Sequence, residues 1–160
     1  MNGSTIKLAA RRKAPLLWAL LFLFIVRVAG QLLVAAGFMK GVLPPMEEWH
    51  SGVLPYPLLV FFQILIIILY GKICLDFSRG EGFWATPRKR MGKWLPVVGW
   101  IYLVAMALRY IIRMSLYPEE RWFGGIIPIF LHWVLAAFLL ILGYFNRNHS
   151  TQRTESGNLL

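Results

Sequence analysis

Four long apolar runs, separated by polar and basic segments, divide the chain. They predict helices at about residues 15–38, 57–77, 95–114 and 124–145. A helix needs about 20 apolar residues to cross the roughly 30 Å hydrocarbon core of a bilayer, and each run has that length. The pattern therefore predicts an all-α fold, a four-helix transmembrane bundle.

Polar segments flank this single transmembrane domain, which we place at residues 15–145. Residues 1–14 form a basic N-terminal segment, and residues 146–160 form a polar tail that we expect to be disordered. Pro15 suits a first helical position, because its missing N–H has no partner there. Residues 44–57 contain four prolines, which exclude a continuous helix, so we interpret this segment as a shaped loop.

The composition agrees with a membrane protein and narrows its partners. Hydrophobic residues make up 58% of the chain, which is more than a soluble domain normally carries. The net charge of +10 comes from basic residues that flank the apolar runs, so the expected partners are anionic lipid headgroups and not nucleic acid. Cys74 is the only cysteine, which excludes an intramolecular disulfide.

The distribution of basic residues predicts the orientation. Residues 1–14, 78–94 and 146–160 contain four, five and two Lys or Arg, whereas the other two loops contain only Lys40 and Arg121. Because basic loops stay on the cytoplasmic side, both termini should face the cytoplasm and the proline-rich loop should face outward.

Polar side chains recur at one depth in the outer half of the predicted bundle. At about 1.5 Å per residue, Gln31, Gln63, Arg109 and His132 reach similar levels, and Arg27 lies one turn deeper. A charged side chain within the bilayer needs a partner and often marks a functional site. We predict a ligand-binding layer formed by Arg27, Gln31, Gln63, Arg109, Tyr110 and His132, capped by the loop residues Glu47, Glu48, Trp49 and His50.

The residue types of this layer suit the polar head of an amphiphile such as a quinone or a lipid. The same residues are also compatible with a structural role, as hydrogen bonds between helices. Haem is disfavoured, because only His132 lies in a predicted helix and a haem bundle takes its ligands from facing helices. The chain has no metal-binding spacing, phosphate-binding loop or nucleophile motif, so no metal site is predicted and the catalytic residues, if any, stay unknown.

The stretch from Arg27 through Gly37 to Lys40 resembles the first helix of the DoxX-like family of small four-helix membrane proteins. The resemblance covers the first helix and the loop after it. It implies a multi-pass protein of the bacterial inner membrane, often a small partner of a respiratory or oxidoreductase complex. The family's second helix carries an acidic residue where this chain has Gln63.

These observations favour a non-catalytic accessory subunit of a larger membrane complex, with an outer site for a lipid or a quinone. The partner would be another membrane protein or a second copy of the chain. The alternative is a stand-alone redox or transport protein that uses the polar layer. In that case Arg27 and Arg109 would hold the ligand head, and His132 would exchange protons.

Overall fold

The computed structural model describes residues 3–37, 55–116 and 126–157, and these ranges contain four helices. The helices are α1 (Gly3–Ala35), α2 (Tyr56–Arg79), α3 (Lys89–Leu116) and α4 (Ile126–Gly157). Each contains an 18-residue window with a mean hydropathy between 1.4 and 2.5 and is long enough to cross a membrane. The predicted all-α, four-helix membrane fold is therefore confirmed.

Helix α1 is the central helix, and it packs against both α2 and α4. Its buried residues are spaced alternately by four and three positions; they are Ala10, Ala14, Leu17, Leu21, Phe24, Val28 and Gln31. This spacing is the seven-residue repeat of helices that pack at a small crossing angle. The repeat defines a single seam along α1, and the bundle closes on that seam.

An apolar core fills the inner half of the bundle, between α1, α2 and α4. The rings of Tyr70 and Phe138 stack with centroids 3.7 Å apart, and those of Phe77 and Phe145 lie 4.7 Å apart. These ring pairs join α2 to α4 across the seam of α1. Aromatic pairs in offset or tilted geometry add to the stabilisation that burial alone provides.

Helix α3 lies at the periphery and, among the described helices, closely approaches only α4. Glycines allow the two backbones to meet: a Cβ at Gly92 would lie 2.6 Å from the backbone nitrogen of Arg147, and one at Gly143 would lie 2.7 Å from that of Pro96. Small residues play this role in membrane helix pairs, where packing replaces the hydrophobic effect. Only 11% of the most apolar window of α3 is buried, so most of its surface is available to lipid.

The start of α1, the last turns of α4 from Asn146 and the turn between α2 and α3 lie at the same end of the bundle. Lys7 forms an ion pair of 2.6 Å with Glu81 in the turn, and the Arg88 backbone N–H donates to Asn146 Oδ1 at 2.8 Å. This basic end is the one that the charge distribution assigns to the cytoplasm. The geometry agrees with termini on a common side.

Three predicted helix ends were wrong. Helix α1 begins at Gly3 and not at Pro15, so Pro15 lies inside the helix. The segment before Pro15 is rich in good helix formers, and Ala10 and Ala14 are buried against the neighbouring helices, which stabilises the extra turns.

At the other end of the chain, α4 continues to Gly157, so the disordered tail predicted from residue 146 is wrong for residues 146–157. Asn146 is fully buried, and its side chain bonds to Leu142 and to the Arg88 amide. Asn146, a polar residue at the end of an apolar run, suggested a helix end, but its side chain makes a buried contact with the start of α3. Helix α3 similarly begins at Lys89, earlier than the expected residue 95.

Candidate polar site in the outer half of the bundle

Gln31 of α1 and Gln63 of α2 form a buried hydrogen-bonded pair. Their side chains are 0% and 4% exposed, and Gln63 Nε2 donates to Gln31 Oε1 at 3.1 Å. Arg27, one turn earlier on α1, donates a second hydrogen bond to the same oxygen. Gln31 occupies the last position of the α1 seam, which explains why a polar side chain points into the bundle here.

Each glutamine keeps a buried polar atom with no hydrogen-bond partner among the described residues. These atoms are Gln31 Nε2, a donor, and Gln63 Oε1, an acceptor. Leaving such a group unsatisfied costs about 1–3 kcal/mol, and buried polar groups are normally satisfied. The pair therefore offers one donor and one acceptor to a further polar group.

A second polar pair connects α3 with α4. The Tyr102 hydroxyl and His132 Nδ1 are hydrogen-bonded, and the two rings meet edge-on with centroids 5.5 Å apart. Arg27 and Arg109 both lie within electrostatic range of the His132 ring. The two pairs consequently belong to one polar cluster to which all four helices contribute.

The predicted layer residues have different surroundings in the structure. Arg27, Gln31 and Gln63 are joined by hydrogen bonds. His132 bonds to Tyr102, and the exposed Arg109 reaches the His132 ring only through its charge. Tyr110 instead packs edge-on against Trp133 of α4, with ring centroids 5.9 Å apart. The predicted cap residues Glu47, Glu48, Trp49 and His50 lie outside the described residues.

Tyr102 is the member of the cluster that the sequence analysis missed. It lies seven residues before Arg109, which is two helical turns, so both residues share one face of α3. That spacing is a signal that would have found it.

A separate group of polar contacts lies at the basic end. Lys72 and Asp76 of α2 form an ion pair at 2.5 Å, in which the Asp76 side chain is only 3% exposed. Its second oxygen accepts the Trp84 backbone N–H at 3.3 Å. Gly82, with φ of 106°, packs directly on the carboxylate, where a Cβ would lie 2.6 Å away. Asp76 thus holds the α2–α3 turn in shape.

Further contacts fasten this turn to α1. Trp18 donates to Ser78 Oγ at 2.9 Å, and Arg11 donates to the Arg79 carbonyl at 3.1 Å. The hydrogen bond and charge of Lys7 lower the pKa of Glu81 below its ordinary value. These polar groups are satisfied within the turn, so their role is structural. The orphaned amide atoms make the outer cluster the candidate site.

Comparison with protein-family models, with curated proteins and with solved structures found no match. The resemblance to the DoxX-like family therefore stays a prediction. Among the described residues, no three His, Cys, Asp or Glu side chains come together in a way that would hold a metal ion. The four long apolar helices are those of a small multi-pass membrane protein.

Proposed function

We propose that this chain is a non-catalytic accessory subunit of a larger complex in the bacterial inner membrane, and that its outer polar cluster holds the head of a quinone or a lipid. The observation that carries the proposal is the buried pair of Gln31 and Gln63. Together they keep a buried, unsatisfied donor and a buried, unsatisfied acceptor at a depth where water is scarce.

Among amphiphile heads, the quinone and quinol pair fits this arrangement best. A quinone carbonyl accepts from Gln31 Nε2, and a quinol hydroxyl donates to Gln63 Oε1. Arg27 adds a positive charge beside the amides, which favours an oxygen with negative character. The apolar side chains Phe24, Val28 and Leu131 lie next to the cluster and suit the isoprenoid or acyl tail.

The accessory role is supported by the size and surface of the chain. About three quarters of its 160 residues lie in the four helices, and among the described residues α3 leaves most of its apolar surface uncovered. A larger membrane protein would cover that surface. Native mass spectrometry of the protein extracted from its own membrane tests this role, and a stoichiometric larger partner is expected. A chain that is always isolated alone or as a homo-oligomer would overturn the accessory role.

The ligand proposal has its own test. The variant Gln63→Leu removes the orphaned acceptor while Arg27 keeps its bond to Gln31. Lipids and quinones are extracted from the purified variant and quantified per protein by mass spectrometry. We expect wild-type protein to retain near-stoichiometric quinone or lipid and the variant to lose it, quinol more than quinone, because only the quinol hydroxyl needs the acceptor.

Tyr70→Phe is the matched control, since it removes a polar atom from α2 two turns away, in the apolar core. It should keep the ligand. Equal retention by Gln63→Leu and wild type, or wild-type protein with no retained amphiphile, would refute the ligand proposal.

The hydrogen bond between Tyr102 and His132 favours one alternative, a stand-alone redox or transport protein. Histidine is the side chain that most often transfers protons in proteins, and the hydrogen bond from Tyr102 holds the ring of His132. Reconstituted vesicles with an internal pH indicator distinguish the two functions. The alternative predicts proton movement that is lost in His132→Gln and in Tyr102→Phe, whereas an accessory subunit alone moves no protons.

A further inference from the structure

A cleft lies at the basic end of the molecule, between α1 and α4, with a volume of about 470 Å³. Arg12 and Lys13 line it from α1, and Tyr144, Asn148 and His149 line it from α4. It is distant from the outer cluster and independent of the function proposed above.

The two cations of the cleft are available to a ligand. Arg11, the preceding residue, points to the other side of α1 and bonds to the Arg79 carbonyl. Arg12 and Lys13 are exposed and make no hydrogen bond or ion pair with any other described residue. Two adjacent cations without an acidic partner in a concave site favour a phosphate.

The α4 wall supplies hydrogen-bonding groups that are already oriented. The Tyr144 hydroxyl accepts from Trp100 Nε1 at 2.9 Å, so its own O–H can donate to a ligand. His149 donates from Nδ1 to the Phe145 carbonyl at 2.8 Å, which leaves Nε2 as its second polar atom. The exposed Asn148 amide completes a polar rim of neutral groups beside the two cations.

The level of the cleft relative to the bilayer indicates the kind of phosphate. The apolar run of α4 ends at Phe145 and is followed by the polar residues 146–150, and the apolar run of α1 begins after Lys13. The polar residues therefore lie at the headgroup level. Leu140 and Ile141 continue the same cleft about 12 Å toward the hydrocarbon core, at 1.5 Å per residue. A soluble phosphate compound has no acyl chain to contact this apolar wall, whereas a phospholipid has one.

We propose that the cleft between α1 and α4 is a binding site for one acidic phospholipid. Arg12 and Lys13 bind its phosphate, Tyr144 donates to the phosphate or to the ester region, and one acyl chain lies along Leu140. This site differs from the general attraction of a basic surface for anionic lipid, because it has a defined shape and a stoichiometry of one lipid per chain.

The experiment uses the full chain in detergent, stripped of lipid, with added phosphatidylglycerol or phosphatidylcholine of the same acyl chains, followed by native mass spectrometry. The double variant R12Q/K13Q removes both cations of the cleft. The matched control K89Q/R90Q removes the same charge from the exposed start of α3, at the same end of the molecule but outside the cleft. Far-ultraviolet circular dichroism confirms that both variants are folded.

Wild-type protein should bind one phosphatidylglycerol in preference to phosphatidylcholine. R12Q/K13Q should bind it about 30-fold more weakly, since two cations near a membrane phosphate each contribute roughly a factor of five. K89Q/R90Q should change the affinity by less than about threefold, because salt screens the effect of charges that lie outside the cleft. Tyr144→Phe should weaken binding several-fold without affecting the preference for the acidic lipid.

Three results would overturn the proposal. The first is wild-type protein that binds both lipids equally. The second is an equal loss in R12Q/K13Q and K89Q/R90Q, which would reduce the effect to general surface charge. The third is full competition by glycerol 3-phosphate at the concentration of the lipid, which would assign the cleft to a soluble phosphate compound.

Discussion

The close approach of α3 to α4 at Gly92 leads to a prediction with a clear magnitude. In Gly92→Ala the new Cβ would lie 2.6 Å from the Arg147 nitrogen and 2.7 Å from its Cα, and neither atom can rotate away because both belong to the backbone. Restoring an ordinary contact of 3.4 Å requires the helices to separate by about 0.8 Å. Overpacking of this kind costs about 1–3 kcal/mol.

The separation also affects the contact nearest to Gly92. The Arg88 N–H bonds to Asn146 Oδ1 at 2.8 Å, one turn away, and the same shift would take it beyond hydrogen-bond distance. Losing this bond to a fully buried amide adds about 1 kcal/mol. We therefore expect Gly92→Ala to lower the free energy of unfolding by about 2–4 kcal/mol.

Titration with a denaturing detergent, followed by tryptophan fluorescence and circular dichroism, measures this change. Hydrogen exchange at the Arg88 amide reports the local opening. Gly71→Ala is the control, because a Cβ at Gly71 meets no atom within 4 Å. Since alanine favours a helix by up to about 1 kcal/mol over glycine, Gly71→Ala should be neutral or stabilising. If Gly92→Ala is as stable as wild type, or if Gly71→Ala is equally destabilised, the close contact does not limit the packing of α3.

Three further predictions concern the basic end. Asp76→Ala should destabilise the protein by about 1–3 kcal/mol. Asp76→Asn should destabilise it less, because the amide oxygen can still accept the Trp84 N–H. The unfolding titration measures both variants, and equal losses of stability would contradict this role of the carboxylate. The hydrogen bond and charge of Lys7 lower the pKa of Glu81. The contribution of Glu81 to stability is therefore present above the ordinary pKa of about 4.3 and is lost as the pH falls through the lower folded value. NMR titration of the carboxyl should show the lowered pKa, and Glu81→Gln should remove the pH dependence. Cysteines introduced as Ser4→Cys and Asn148→Cys should both react with an impermeant maleimide only from the cytoplasmic face. Background labelling should be low, because Cys74 is fully buried. Reaction from opposite faces would refute the placement of residues 4 and 148 on one side of the membrane.

Much of the candidate site follows from the sequence because depth in a membrane helix is nearly linear in residue number. Gln31, Gln63, Arg109 and His132 could be placed at one level from the helix ends alone. Their partners could not, since depth carries no information on which helix faces which. The bond of Gln63 to Gln31, and that of Tyr102 to His132, depends on helix order and rotation.

The sequence by itself determined the number of helices, their approximate position and the basic end. In a bilayer each helix must satisfy its own backbone hydrogen bonds, so a long apolar run forms a helix whatever its neighbours are. Only the tertiary structure decided that α1 is central, that α3 is peripheral, and that Asp76 and Asn146 are buried. The reason is that lipid and protein interior are equally apolar. The pattern of apolar residues cannot separate them, and the packing of small and polar side chains makes the distinction.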